Sequence, residues 1–149
     1  MITKLNNTAE DVAKRIHRIF QNSYKVEAEL IGTQSFPPLA RTAKDIANSE
    51  TSFYGYSENN DLAAIIEIAI DAGHLEIHSL TVDPAHFRKG IADKLIDYTL
   101  NSFDFSEAIV ETALVNVPAI SLYKKHGFII YGTELESIKI GNNFHDEYL

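Results

Sequence analysis

The chain has 149 residues with 45% hydrophobic content, no cysteine and a formal net charge of −8, with a pI near 5.1. That length suits one domain, residues 1–149, with a single sizeable core. The missing thiols exclude a disulfide framework and a thiolate zinc site. The acidic balance argues against nucleic acid, whose backbone demands a clustered positive face.

Met1 to Asn7 lacks an apolar signal core, and no apolar run approaches the ~18 residues a membrane span needs, so no membrane partner is expected. Ile2 to Leu5 reads as a first strand. Thr8 with Asp11 has the form of a capping box, and Val12, Ile16, Ile19 and Phe20 follow at helical spacing. A first helix is therefore predicted from about Ala9 to Gln21 or beyond. The paired prolines at Phe36-Pro37-Pro38-Leu39 force a loop, after which Thr42 and Asp45 mark a short helix over Ala43 to Asn48. Thr51 to Tyr56 and the strongly apolar Leu62 to Ile70 read as strands about a turn at Ser57 to Asp61. Asp71-Ala72-Gly73 returns the chain into a third strand of this group, beginning near His74.

That strand runs through Leu75-Glu76-Ile77-His78-Ser79-Leu80-Thr81-Val82 and stops at Asp83-Pro84. Phe87-Arg88-Lys89-Gly90-Ile91-Ala92 comes next, with a helix opening at the glycine. Ile91, Leu95, Ile96, Leu100 and Phe103 form one stripe of it, and Asp93, Lys94, Asp97 and Asn101 the other. Two cations before a helix N-terminus, where backbone N–H groups are free, make a cradle for a phosphate. Beyond it, Ala108 to Leu114 is a strand and Pro118 to His126 a short helix, with Gly127 suited to the left-handed position after it. Ile129 to Glu134 and Phe144 to Leu149 are predicted as the last strands, with Gly141-Asn142-Asn143 connecting them. The order is βααβββαβαββ, an α/β arrangement with a mixed, largely antiparallel sheet flanked by helices.

Two stretches resemble the GNAT superfamily of N-acetyltransferases. The turn at Gly90-Ile91-Ala92 is similar to the end of the family's Gln/Arg-x-x-Gly-x-Gly/Ala motif, with Phe87 standing at its first position. The segment Asn116-Val117-Pro118-Ala119-Ile120-Ser121-Leu122-Tyr123-Lys124-Lys125-His126-Gly127-Phe128 is similar to Asn-x-x-Ala-x-x-Leu-Tyr-x-x-x-Gly-Phe at every motif position. The resemblance covers about Leu75 to Phe128. It implies a GNAT fold, acetyl-CoA as acetyl donor and no metal. It also implies a parting of the strands that end near Val82 and Val115, with the thioester arm lying between them. The diphosphate would meet main-chain donors at Gly90, Ile91 and Ala92, with Arg88 and Lys89 as phosphate contacts, and the oxyanion a main-chain N–H between Leu80 and Val82. With no cysteine, no apolar signal core and no membrane span read in the sequence, a cytoplasmic setting, where acetyl-CoA is available, is expected.

Transfer to an amine needs a base, because alkyl ammonium groups have a reference pKa of about 10. Glu76, fourteen residues before Gly90, is the first candidate, the place where some family members carry their catalytic glutamate. Its alternative is a surface or edge-strand carboxylate. Glu67, set among isoleucines on the neighbouring strand, is the rival, either turned to solvent or desolvated with a raised pKa. Tyr123 stands at the family's general-acid position, and its alternative is plain core. Asn116 can cap the helix that begins near Pro118, hold the pantetheine arm, or do both. Lys124 and Lys125 assist a ribose phosphate or complement the helix C-terminus. His78 or His126 can relay a proton, and His86 reads as a turn residue. His74, Glu76 and His78 alternate on one strand, too spread to share a metal ion.

The acceptor groove implied by the family's first two helices, their connection and the last strands would offer Tyr24, Glu27, Glu29, Phe36, Tyr54 and Phe144. Aromatics with carboxylates suit a small-molecule or peptide amine. Two activities stay open: direct acetyl transfer to such an amine, and a non-catalytic acyl-CoA-binding or interaction module, to which the Phe87 departure points. A homodimer through a sheet edge or helix face is also open.

Overall fold

A computed structural model describes residues 1–32, 37–113, 116–134 and 137–143. The elements are β1 (Ile2–Leu5), α1 (Glu10–Ile31), α2 (Ala43–Ala47), β2 (Ser52–Glu58), β3 (Asp61–Asp71), β4 (His74–Val82), α3 (Ile91–Ser102), β5 (Glu107–Ala113), α4 (Val117–Lys125), β6 (Ile129–Glu134) and β7 (Ser137–Asn143). The order is the βααβββαβαββ expected, and the strands form one sheet, β1-β2-β3-β4-β5-β7-β6. Every neighbouring pair is antiparallel except β4 and β5.

The hairpin turns explain the register of the first strands. Asn59 and Asn60 both take positive φ, 51° and 65°, and Ala72 and Gly73 take 51° and 81°. Two successive left-handed residues match the twist of the flanking strands, which closes β2–β3 and β3–β4 with two-residue turns. β3 is buried from Leu62 to Ile68 because both of its faces are covered. On one side Ile65, Leu62 and Phe53 pack against Ile16, Ile19 and Phe20 of α1 and Ile46 of α2. On the other, Ile66, Ile68, Leu75, Ile77 and Val110 meet Ile91, Leu95 and Ile96 of α3, with Tyr123 and Phe128. The α3 stripe is buried as its periodicity predicted, with Leu100 and Phe103 partly buried at its end.

Three local expectations are corrected. Thr8 does not cap α1: the N-cap is Ala9, without a side-chain bond, because the Thr8 hydroxyl donates to Asn6 Oδ1 at 2.6 Å. α1 instead runs on to Ile31 and ends at Gly32 in the left-handed conformation. The paired prolines hold a single 3-10 turn, Pro37–Ala40, since proline is tolerated where a helical N–H has no partner. Gly141, Asn142 and Asn143 lie inside β7 rather than in a connection. Gly141 pairs with Ile109 and Ile129, and a Cβ there would stand 3.2 Å from the Tyr131 ring, so the residue answers a close approach and not a turn. The strand expected over 144–149 lies outside the described residues, as does Phe36. The capping box of α2 holds, with Asp45 N–H donating to Thr42 Oγ1 and Thr42 N–H to Asp45 Oδ2.

Candidate active site

The parallel pairing of β4 with β5 runs from His74↔Glu107 to Ile77↔Val110 and goes no further. Both strands continue, β4 to Val82 and β5 to Ala113, so the sheet forks at its centre. A bulge in β4 sits at the fork. Glu67 of β3 faces Ser79 and Ile68 faces Ile77, which leaves His78 as the extra residue and turns the strand. Asp83 N–H donates to Ala63 O of β3 at 2.8 Å. Because successive N–H groups alternate between strand edges, those of Leu80 and Val82 point away from β3, toward the gap.

A cleft of about 1420 Å³ occupies the fork, lined from β4 by His78, Ser79, Leu80 and Thr81 and from β5 by Val110, Glu111 and Thr112. α1 contributes Ser23, Tyr24, Val26, Glu27 and Leu30, and α4 with its cap contributes Asn116, Pro118, Ala119, Leu122 and Tyr123. Phe87 and Arg88 close the cleft beside the start of α3. Gly90 is the N-cap there, at φ 72°, and its side-chain position is open space. The first turn of α3 therefore presents N–H groups that neither helix nor cap side chain satisfies. Arg88 also takes a left-handed φ of 65°, a strained conformation of the kind that concentrates at binding sites.

The expected residues divide by place. Leu80, Arg88, Asn116 and Tyr123 line the cleft and Gly90 heads the helix at its edge. Lys89 turns away, its Nζ 3.4 Å from Glu58 Oε2 and 3.3 Å from His86 Nδ1. Glu76 precedes the fork, paired with Ile109 in the ladder, its side chain 55% exposed and 3.8 Å from His78, and it does not belong to the cleft lining. The lining carboxylates are Glu27 and Glu111. Glu29 of α1 and Tyr54 of β2 stand outside that lining, and Tyr54 packs on Tyr98 and Phe103 instead.

Glu67 is neither solvent-facing nor a raised-pKa base. It is 2% exposed, and Arg41 grips it with two bonds, Nη1 to Oε1 at 2.7 Å and Nη2 to Oε2 at 2.9 Å. Thr51 Oγ1 donates to Oε2 at 2.6 Å and Ser79 Oγ to Oε1 at 3.0 Å. Burial alone would raise its pKa, but Arg41 and the two hydroxyls outweigh it and hold the carboxylate below its ordinary range. Sequence reasoning missed Arg41 and Ser79. The signal for them was Glu67 itself, since a carboxylate buried among isoleucines requires a cation.

Ser79 also hydrogen-bonds Tyr24, so a polar chain runs from the cleft wall to the buried ion pair. Burial pushes the Tyr24 phenol up to about 12; Glu67 and Glu27 push the same way, while the Ser79 bond and Arg41 pull it back. Tyr123, 4% exposed, has its phenol raised well above the ordinary value by burial, then by Glu27 and Tyr24. Glu27 is raised by burial against the opposing bond from Asn116. Asn116 performs two tasks at once. Its Oδ1 accepts from Ala119 N–H at 3.3 Å, capping α4, and its Nδ2 donates to Glu27 Oε1 at 2.7 Å.

His126 is enclosed by Asp93 and Asp97 of α3, at 2.9 Å and 3.1 Å, and Lys125 reaches Asp93 at 3.1 Å. These contacts tie the end of α4 to the first two turns of α3. Among the described residues no cluster of side chains is arranged to hold a metal, and no helix is long and apolar enough to cross a membrane.

Comparison with known proteins agrees with this geometry. Solved structures with the same fold include a PaiA N-acetyltransferase from Thermoplasma acidophilum in complex with coenzyme A. It has a TM-score of 0.81 at 18% identity over 97% of this chain and 98% of that one. The ribosomal-protein-S18-alanine N-acetyltransferase of Escherichia coli superposes with a TM-score of 0.77 at 17% identity, over 100% of this chain and 97% of that one. A UPF0157 protein, YqkA, of Bacillus subtilis strain 168 is 36% identical over 129 residues; the match takes in 86% of this chain and 38% of that longer protein. The profile of the acetyltransferase (GNAT) family matches residues 6–128. With the forked sheet and the glycine-headed helix beside it, that match over most of the length establishes that the chain belongs to the acetyltransferase (GNAT) family.

Proposed function

We propose that the protein is an acetyl-CoA-dependent N-acetyltransferase that moves an acetyl group to a primary amine of a small molecule or peptide by direct attack. The observation that carries this reading is the fork. β4 and β5 part after Ile77 and Val110, and the cleft they open holds the buried phenol of Tyr123 while its edge reaches the N-terminus of α3.

In this reading the N–H groups of Gly90, Ile91 and Ala92, with the Arg88 guanidinium, hold the diphosphate of the cosubstrate. Lys89 joins them only by leaving Glu58. The pantetheine arm lies in the gap, where the Leu80 and Val82 N–H groups that face away from β3 supply its amide partners and a donor for the oxyanion. Tyr123 protonates the departing thiolate; its raised pKa keeps it a phenol until sulfur demands the proton. The amine loses its proton to a carboxylate of the cleft. Glu76 takes that role only across a water, because its side chain lies before the fork, whereas Glu27 and Glu111 reach the cleft directly. With no cysteine in the chain, no acetyl-thiol enzyme intermediate forms.

The test is thiol release from acetyl-CoA with a panel of polyamines, aminoglycosides, amino acids and short peptides, together with calorimetry of CoA binding. Amine-dependent thiol release supports the transferase. CoA binding without thiol release for any amine would favour the acyl-CoA-binding module, and absence of CoA binding by folded protein would remove both readings.

A further inference from the structure

We infer that Glu27 carries the proton between the two ends of the reaction, taking it from the attacking amine and returning it to Tyr123. This inference rests on the transferase reading above.

The geometry begins with α4. Asn116 caps its N-terminus and Tyr123 lies seven residues on, two turns along the same face. Side chains on a helix lean toward its N-terminus, so the Tyr123 phenol is carried back toward the Asn116 end. Asn116 Nδ2 clamps Glu27 Oε1 at 2.7 Å at that end of the helix. The carboxyl group and the phenol thus share one compartment of the cleft, and each lines it. Their proximity is felt electrostatically, since Glu27 helps to raise Tyr123. Tyr24 on the same helix feels the Glu27 charge, and the other titratable groups that line the cleft with it are His78 of β4, Arg88 before α3 and Glu111 of β5. Arg41 and Glu67 stand behind Tyr24 and Ser79, already committed to one another.

An ammonium acceptor first gives one proton to solvent, and from the neutral amine onward the proton balance is complete within this set. The amine nitrogen bonds to the thioester carbon and its extra proton passes to the Glu27 carboxylate. The C–S bond breaks as Tyr123 gives its hydroxyl proton to sulfur, leaving a phenolate beside a protonated carboxyl. Transfer from Glu27 to that phenolate restores both groups and leaves an amide and CoA thiol. A half-buried carboxyl of raised basicity suits this relay better than an ordinary exposed one. Glu111, by contrast, is exposed on β5.

The experiment compares wild type with Glu27→Gln, Tyr123→Phe and the double variant, using the best amine of the panel and following thiol release from pH 6 to 9. Expected for Glu27→Gln are a fall in kcat of at least about a hundredfold across that range and CoA affinity within about threefold of wild type. The melting temperature at pH 7 should hold or rise, because an isosteric amide keeps a partner for Asn116 and removes a desolvated charge; a merely structural role would lower it. The double variant should be no slower than the worse single variant, since both act in one proton circuit. A Glu27→Gln enzyme within threefold of wild type, or losses that multiply in the double variant, overturns the proposal while leaving the transferase reading intact. Wild-type protein that binds CoA yet acetylates no amine overturns both.

Discussion

At the scale of single residues, Tyr123 and Glu67 show how burial yields opposite chemistry. Tyr123 is buried without a cation and its pKa rises; Glu67 is buried against one and its pKa falls. Tyr123→Phe removes one hydroxyl and keeps the ring that packs on Phe128 at 5.3 Å between centroids. Its expected effect is a loss of about 10²–10⁴-fold in kcat with little change in melting temperature or CoA affinity, read by thiol release and calorimetry. Glu67→Gln strands Arg41 in a half-buried site and should cost about 3–5 kcal/mol in urea unfolding. Ser79→Ala, which removes one hydrogen bond to that carboxylate and the bond to Tyr24, should cost about 1–2 kcal/mol. Similar losses from the two variants would show that the Arg41–Glu67 grip contributes little.

At the scale of elements, the site is made by what ends each one. The fork exists because β4 and β5 stop pairing, and the proposed phosphate cradle rests on α3 beginning on a left-handed glycine. The Cβ of Gly90→Ala meets no atom within 4 Å, so its cost comes from the φ of 72° alone, roughly 1–2 kcal/mol. The expected result is CoA affinity weakened by about tenfold or more with a modest loss of stability. Unchanged affinity in calorimetry would remove the cradle from that first turn. α1 has a comparable ending. Its buried stripe, Ile16, Ile19 and Phe20, passes into Tyr24 and Glu27, so the same face that packs on the sheet delivers polar groups to the cleft. That Tyr24 and Glu27 belong to the site was legible from the resemblance. The clamp on Glu27 was not, because Asn116 lies 89 residues away in the chain.

At the scale of the whole molecule, acid sensitivity follows from the carboxylates held low. Glu67 is depressed by Arg41 and its two hydroxyl donors, which outweigh burial, and Asp93 chiefly by His126. A carboxylate depressed in the folded state stabilises fully above its unfolded pKa, about 4.3 for Glu and 3.9 for Asp, and that stability is lost as pH falls through the folded value. Melting temperature should therefore decline below about pH 4, and Glu67→Gln should flatten that decline while lowering the plateau at pH 7. An unaltered acid limb in Glu67→Gln would show that other groups control it.

Periodicity, turn residues and the two motifs determined the order of elements, the buried face of α3, the capping of α2, the left-handed Gly127 and the membership of the family, because each depends on neighbours within a few residues. Only the tertiary structure decided that Lys89 turns to Glu58, that Glu67 is locked by Arg41, that Glu76 lies before the fork and that Glu27 hangs over α4. Those outcomes depend on distances between residues far apart in the chain, where a strand's bulge or the end of a ladder sets which side chains meet. Gly141 illustrates the boundary between the two. Its composition resembles a turn, yet the close approach of Tyr131 and Ala108 from neighbouring strands explains why a glycine stands there.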